Sequence, residues 1–467
     1  MNKMDHLFNL FKGPIKEISQ HPISFFLLVL GSGQALLTFY PGSMSVDSWQ
    51  QFNQAVSRSY DDVHPPIMAW VWRYLLWIKK GPEPMLFLNV GMFWTGLFLI
   101  WYQLIKQKCH SYLLIPLLGF MPPVLGMIGV IWKDISLGSS LVLVVSLLGY
   151  QSKFMNIRKI LIVILLFYAT AVRHNAVAMT LPFFLISCLV LKGQLYKGLT
   201  QEFFKSVFCG VKLLVGCLVV GFGLTRVILK PQKSDIYPSF IFFHDLSYIG
   251  AKLDLELVPE SFWTSYYSKE QVGKALKDLR ASDGFIYSKE APFKIIHDPL
   301  EIENIKRVWM KNIIDHFSIY LELRTQLFNS LNSIGFDQCR VCHFYIPNEF
   351  GGGIDKMAPW RSYLERNLSQ IAAKTLFYSG WFYLLLGIMG LVATYLIQGE
   401  WFIISFCILI SSIFYNLSFF MTTVTCDFRY LWPSTVLTLL GVMLILADFE
   451  KSRVVKTVLK KIKLKAL

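Results

Sequence analysis

Charged residues are scarce in this chain of 467 residues: only 16% are Asp, Glu, Lys or Arg, while 54% are hydrophobic. A soluble domain carries about 25% charged residues. The scarcity excludes an ordinary soluble protein and predicts an all-α polytopic membrane protein. Acidic residues are scarcer than basic ones, which leaves a net charge of +15. Because basic residues collect on the cytoplasmic loops of membrane proteins, this excess indicates membrane orientation rather than a nucleic-acid partner.

Cysteine is sparse as well, with eight residues, most of them within apolar runs where they are expected to pack as small core side chains. The exception is Cys339-Arg-Val-Cys342-His343, which has the C-x-x-C-H spacing of covalent haem attachment. A local disulfide between Cys339 and Cys342 in an oxidising compartment is a second interpretation. Free or metal-binding thiols are a third, and the sequence leaves all three open.

Long apolar runs are abundant. A spanning helix needs about 20 mostly apolar residues, and the sequence predicts about ten such helices. They lie near 22–41, 85–105, 111–131, 135–150, 159–173, 176–192, 207–228, 376–397, 400–420 and 431–448. Loops rich in Lys and Arg alternate with loops poor in them, so the positive-inside rule predicts that both termini are cytoplasmic.

The span pattern divides the chain into regions. We expect an N-terminal transmembrane module over 1–228, an external domain over 229–375, further transmembrane helices over 376–450 and a basic cytoplasmic tail over 451–467. The external domain is expected to be small and mainly helical. The first external loop, 43–84, is too long for a turn and predicts two amphipathic interfacial helices, around "VDSWQQFNQAV" and "PIMAWVWRYLLWI". The tail either contacts anionic lipid or only fixes the topology.

Unusual polar residues all fall on the external side of this topology. Helix caps would be scattered over both sides, so the one-sided distribution indicates a functional site. The candidates are Asp47, His64, Lys133, Asp134, Arg173, His174, Asn175, His244, Asp245, Asp427 and Arg429.

Two of these candidates are predicted to be catalytic. Asp47 either caps a helix or is a carboxylate general base at the outer edge of the membrane, and a carboxylate there could also bind a divalent metal. His64 precedes two prolines that restrict the backbone. It either belongs to a rigid helix start or orients a phosphate or the catalytic carboxylate.

The other candidates are predicted to bind substrate, above all an anionic phosphate. Lys133 either faces the phosphate while Asp134 fixes it, or extends to the interface while Asp134 caps a helix. "RHN" at 173–175 interrupts an apolar stretch where charge is costly; Arg suits phosphate through its planar donors, and a structural turn is the alternative. Asp427 and Arg429 form either a salt bridge or a second phosphate site, and "HD" at 244–245 is a further acid/base pair.

Several of these stretches resemble one family. "YPGSMSVDSWQQFNQA" followed by "HPPIMAWVW" is similar to the opening of the GT-C-fold integral membrane glycosyltransferases, which include the protein O-mannosyltransferases and the aminoarabinose transferases. "WKD", "RHNA" and "DFRYLWP" resemble external-side signatures of bacterial relatives. The resemblance implies that a sugar passes, with inversion, from a polyprenyl-phosphate or polyprenyl-diphosphate carrier to an acceptor outside the cytoplasm.

The resemblance also implies roles for particular residues. Asp47 matches by position the catalytic acid of the first external loop. The leaving phosphate would then be stabilised by Arg173, Arg429, Lys133 and His64. The family often has two adjacent acids where this chain has Asp47-Ser48, so no metal site is assigned, although a divalent metal stays an open alternative.

The expected protein is therefore a glycosyltransferase of the bacterial inner membrane with a periplasmic active site. Its expected partners are the lipid-linked sugar donor, membrane lipids and a glycan, lipid or protein acceptor, and no nucleic acid is expected. No cofactor is assigned, although a divalent metal is possible. The alternative is a transporter or flippase for a lipid-linked or anionic substrate, which would carry ionisable residues near the bilayer midplane.

Overall fold

A computed structural model describes residues 16–150, 155–191, 201–232, 236–277, 285–286, 288–296, 298–335, 345–351 and 356–452. Within these residues the chain is helical, and its only β pairing consists of three isolated bridges. The predicted all-α class is confirmed. The main helices are α1 (Pro22–Phe39), α2 (Val46–Ser57), α3 (Ile67–Leu75), α4 (Glu83–Lys106), α5 (Lys133–Gly149), α6 (Met155–Ala171), α7 (Ala176–Leu191), α8 (Gln201–Gly223), α9 (Ile236–Leu253), α10 (Lys269–Lys277), α11 (Pro299–Asp315), α12 (Phe317–Leu331), α13 (Ala358–Lys374), α14 (Gly380–Ile397), α15 (Phe402–Thr422) and α16 (Trp432–Lys451).

Six helical segments in the described part of the chain are long and apolar enough to cross a membrane, judged by length and composition. They are Pro22–Phe39, Glu83–Lys106, Phe204–Leu229, Gly380–Ile397, Phe402–Thr422 and Phe428–Lys451. The prediction of a membrane protein with several transmembrane helices is confirmed at this level. The two helices predicted for 43–84 are present as α2 and α3.

The predicted continuous helix over 111–131 is wrong. That part of the chain forms three short helical turns, His110–Leu113, Ile115–Leu118 and Pro122–Leu125. Proline has no backbone N–H and its ring clashes with the preceding turn. The helix is therefore interrupted at Pro116 and again at the Pro122-Pro123 pair, although the segment is as apolar as its neighbours.

The interrupted segment nevertheless runs along α16. At one end, the backbone N–H of His110 donates to Oε1 of Glu450, at 2.8 Å, near the C-terminus of α16. Towards the other end, Nε1 of Trp432 donates to the carbonyl of Pro123 at 3.1 Å. Helix α16 has 20 residues, which corresponds to about 30 Å, the thickness of a bilayer's hydrocarbon core. An irregular backbone is tolerated at that depth when protein surrounds it.

Helix α5 lies at the centre of the bundle. It is buried on nearly all sides, including the polar residues Lys133 and Asp134 of its first turn. Helix α4 packs against it so closely that a Cβ on Gly96 would stand 2.8 Å from Cγ1 of Val142. Helix α16 packs on another side. This packing fixes the position of the first turn of α5, which carries two of the candidate site residues.

A second hydrophobic core lies within the region 229–375. It is built from aromatic and aliphatic side chains of α9 and of the segment that follows, and includes Phe243 and Phe293, whose ring centroids are 4.7 Å apart. Ile305 of α11 closes it from another direction. Helix α12 then leads back to the main bundle, where it packs against α15.

Candidate functional site

Residues from distant parts of the sequence meet around Asp47. One carboxylate oxygen, Oδ2, lies 3.0 Å from Nη1 of Arg429, and the other, Oδ1, lies 3.8 Å from Nε2 of His64. The imidazole in turn accepts a hydrogen bond at Nδ1 from Nζ of Lys133, at 2.6 Å. The structure thus joins α2, the loop before α3, the start of α5 and the turn before α16. We call this group, with Asp134, Arg173 and Asp427, the Asp47 cluster.

The start of α2 explains how Asp47 comes to be available. Ser45 is the N-cap, and it forms a reciprocal capping box with Ser48, so the alternative that Asp47 caps the helix is wrong. Ser48 Oγ donates to the carbonyl of Ile131 at 2.8 Å, and Nε1 of Trp132 donates to Ser45 Oγ at 2.7 Å. These bonds hold the first turn of α2 against the segment that leads into Lys133.

A second ion pair, between Asp134 and Arg173, stands next to this group and is buried. Arg173 also donates from Nε to Oδ1 of Asn175 at 3.0 Å, and its guanidinium lies over the ring of Tyr430, 4.7 Å from the centroid. Asp134 therefore fixes Arg173 rather than Lys133. The predicted "RHN" segment does reach the cluster, and His174 presents an exposed side chain beside it.

Arg429 forms the salt bridge with Asp427 that was one of its two predicted roles, and it also pairs with Asp47. Asp427 Oδ1 accepts from the backbone N–H of Arg429, and Asp427 Oδ2 lies 3.0 Å from its Nε, so the predicted salt bridge exists. The same guanidinium reaches Asp47 and lies over the ring of Trp132, 5.0 Å from the centroid. Arg429 therefore connects the carboxylates of Asp47 and Asp427.

The charges of the cluster follow from burial and from its neighbours. Burial raises the pKa of the Asp47 carboxyl, but the positive charge of Arg429 and then the other nearby cations outweigh burial and bring it to about 2. Burial, followed by the charge of Lys133, lowers the pKa of His64 to about 3. Burial, followed by the charge of Arg173, lowers the pKa of Lys133 to about 7. At neutral pH, Asp47 is ionised and His64 is neutral.

The charge of Lys133 determines the tautomer of His64. A charged ammonium group can only donate to Nδ1, so while Lys133 is protonated the single proton of the neutral ring sits on Nε2. That Nε2–H faces Oδ1 of Asp47, at a separation too long for a hydrogen bond. Lys133 is thus turned toward the imidazole. Among the described residues, no carboxylate lies within ion-pair distance of its ammonium group.

The predicted pair His244 and Asp245 lies elsewhere, on α9. Asp245 is fully buried, pairs with Arg324 of α12 and accepts a hydrogen bond from Nε1 of Trp309 at 2.9 Å. In the described ranges, neither residue forms a hydrogen bond or ion pair with the Asp47 cluster. The link is indirect, because Nη1 of Arg324 donates to the carbonyl of Thr423 at 2.8 Å, at the start of the loop that carries Asp427.

The described cysteines include a disulfide-bonded residue and buried free thiols. The predicted disulfide candidates Cys339 and Cys342 lie outside the described residues. Cys426, directly before Asp427, is disulfide-bonded. Cys109 and Cys407 are buried free thiols.

Sequence reasoning missed three side chains that bear on the site. Arg324 was not singled out, because nothing in the sequence shows that it crosses to the Arg429 loop. Gln51 and Gln54 were also passed over, although they follow Asp47 at positions i+4 and i+7 of a predicted helix. That spacing places all three on one helix face, so a signal was present.

The geometry supports two kinds of chemistry. An ionised carboxylate can accept a proton, and arginine groups held at a membrane helix end can bind an oxyanion. Where the structure describes the chain, no group of three or more His, Cys, Asp and Glu side chains that could hold a metal ion is found. No protein-family model, curated protein or solved structure matches the chain.

Proposed function

We propose that this protein is a membrane glycosyltransferase of the GT-C type. It moves a sugar from a polyprenyl-phosphate-type carrier to an acceptor on the external face of the membrane, with inversion. The observation that carries the proposal is the pairing of ionised Asp47 with Arg429 at the meeting point of several apolar helices. The reaction needs a base on one face of the anomeric carbon and a cation that stabilises the leaving phosphate on the other face.

The proposed reaction assigns each group a part. The acceptor's hydroxyl or amine attacks the anomeric carbon, its proton passes to Asp47, and the bond between that carbon and the phosphate oxygen breaks. The leaving phosphate takes the bonding electrons, and its growing negative charge is stabilised by Arg429 and Arg173. His64 holds a proton on Nε2 toward Asp47, and Lys133 keeps the imidazole in that tautomer.

Donor binding also makes Asp47 a stronger base. With a pKa of about 2, the carboxylate is ionised but accepts a proton weakly. A phosphate that shares the positive charge of Arg429 weakens the attraction that depresses this pKa, and adds a negative charge nearby. The proton affinity of Asp47 therefore rises when the donor is present, which ties the base to the occupied site.

We propose the same ten-crossing topology as the sequence predicts, with both termini in the cytoplasm of a bacterial cell and residues 229–375 as an external domain. The segment 107–132 counts as one crossing, because it connects the two ends of α16. The disulfide at Cys426 supports an oxidising environment beside the Asp47 cluster. The side chain of Trp77, which is 96% exposed just after α3, suits the outer membrane interface.

Mass spectrometry of envelope glycolipids, glycans and glycoproteins from the native host tests the proposal. Wild type is compared with a deletion strain and with the deletion strain carrying Asp47→Asn at wild-type protein level. We expect one sugar modification to disappear in the deletion and to stay absent with Asp47→Asn, because asparagine keeps the shape but cannot accept the proton.

Two results would count against the proposal. Full restoration of the product by Asp47→Asn would remove Asp47 from catalysis. A glycan profile that does not change on deletion, once a redundant enzyme has been ruled out by deleting it too, would favour the transporter or flippase alternative.

A further inference from the structure

The face of α2 that carries Asp47 also carries two uncharged polar side chains. Gln51 and Gln54 follow at helical spacing, so their side chains share that face. Both are buried, with only 1% and 5% of their surface exposed. Gln51 Nε2 reaches back toward the backbone carbonyl of Asp47 at 3.3 Å. Two amide side chains are therefore enclosed next to the proposed base.

These amides have polar atoms without partners in the described part of the chain. Gln51 Oε1 and both Nε2 and Oε1 of Gln54 accept or donate no hydrogen bond. The hydroxyl of Tyr60 and Nε2 of His64, which follow α2 in the sequence, are unpaired as well. Buried polar groups in folded proteins are nearly always hydrogen-bonded. Of these side chains, Gln51 and His64 directly adjoin Asp47, so a ligand bound there would supply partners for the unpaired atoms.

The chemistry of these groups identifies the kind of ligand. A primary amide both donates and accepts and carries no charge, so it matches hydroxyl groups. Phosphate is bound best by charged donors, such as Arg429, which pairs with Asp47. Gln50 behaves differently, because its Nε2 is already bonded to Oδ2 of Asp61 at 3.0 Å. We propose that Gln51 and Gln54 bind ring hydroxyls of the transferred sugar and so select it, an inference that rests on the proposed function.

Leucine substitutions separate this role from a structural one. Leucine resembles glutamine in size but removes the amide, and replacing an unsatisfied buried polar group by an apolar one is often neutral or stabilising. Gln54→Leu and Gln51→Leu are expressed in the deletion strain, and the sugar modification is measured per amount of folded full-length protein. The melting temperature of each purified protein is measured in the same detergent. We expect product to fall about tenfold for each variant, the effect of one lost hydrogen bond, while the melting temperature stays equal or rises.

Gln103 provides a matched control. It is also a buried glutamine with an unpaired Oε1, but it lies near the C-terminal end of α4, away from α2. There its Nε2 donates to the carbonyl of Ser146 at 2.9 Å. Gln103→Leu is expected to leave product per folded protein unchanged.

Each outcome decides the inference. Product within twofold of wild type for both α2 variants would mean that the amides bind ordered water only, and would overturn it. Failure of both variants to fold, with Gln54→Met failing too, would show that the amides are bonded within the protein, and would also overturn it. If the deletion itself changes no glycan, the proposed function fails. If the deletion removes a glycan and the leucine variants restore it, only the role of the two amides fails.

Discussion

At the residue scale, the most informative side chain is His64. It is buried, bonded at Nδ1 to a lysine and aimed at Asp47 through Nε2. The sequence suggested a role for this histidine only because a rigid helix start accounts for the two prolines that follow it but not for the histidine. The structure adds its charge state, since burial and Lys133 hold its pKa near 3. A neutral histidine here avoids competing with Arg429 for the carboxylate.

This charge state predicts how stability depends on pH. The unfolded chain protonates His64 below about pH 6.5, whereas the folded protein leaves it neutral down to about pH 3. Stability is therefore lost as pH falls through this window, by about 1.4 kcal/mol per pH unit. His64→Gln keeps an acceptor for Lys133 but cannot titrate. Between pH 6.5 and 5 we expect wild type to lose about 2 kcal/mol more than the variant, measured as thermal unfolding in detergent. Parallel pH profiles for the two proteins would contradict a neutral His64.

At the scale of elements, the loop between α15 and α16 depends on a helix from the second core. Arg324 of α12 is fully buried; it pairs with Asp245 and donates to the carbonyl of Thr423. Four residues later the same loop carries Asp427, which orients Arg429. Arg324 thus connects the region 229–375 to the loop that carries Asp427, and Asp245 contributes by holding that arginine. The same region also contacts the segment before α2 directly, since the backbone N–H of Ile346 donates to Ser43 Oγ at 2.7 Å.

Removing Arg324 should therefore affect both stability and the site. Arg324→Met leaves Asp245 buried without a counter-charge, which typically costs about 3–5 kcal/mol. Arg324→Met combined with Asp245→Asn removes both charges and should recover most of this loss. Thermal unfolding of the two proteins and of Asp245→Asn alone gives the coupling. Additive effects of the two single substitutions would show that the buried pair does not hold these elements together.

At the scale of the whole molecule, the arrangement of helix ends determines what faces each side of the membrane. Asp47 follows α1, Lys133 starts α5, Arg173 separates α6 from α7, and Arg429 precedes α16. All four positions meet at one end of the bundle. His110 and Glu450 contact each other at the opposite end, among loops that are rich in lysine.

Cysteine labelling of intact cells tests this sidedness. Trp77→Cys lies at the Asp47 end, and Trp77 is 96% exposed; His110→Cys is the matched control at the opposite end, where the histidine side chain is 86% exposed. A membrane-impermeant maleimide should label Trp77→Cys in intact cells and His110→Cys only after permeabilisation. The reverse pattern would place the Asp47 cluster in the cytoplasm and would exclude transfer on the external face.

Sequence alone determined the class of protein and most of its helices, because a membrane imposes length and apolarity on each crossing and these are properties of single segments. It also identified every member of the Asp47 cluster, since charged groups in apolar surroundings are costly wherever they stand. The prediction of a continuous helix over 111–131 rested on apolarity, which does not report helix continuity. The prolines that break this helix are present in the sequence and were a signal against it.

Only the tertiary structure decided which charge pairs with which. Asp134 pairs with Arg173, Asp245 with Arg324, and Arg429 with both Asp47 and Asp427. Each pair except the last spans a long stretch of sequence, and the choice depends on the packing of helices around α5. The sequence shows where the ionisable residues lie along the chain and which of them fall in apolar surroundings. Their partners are set by distances in three dimensions, which determine the electrostatic energies.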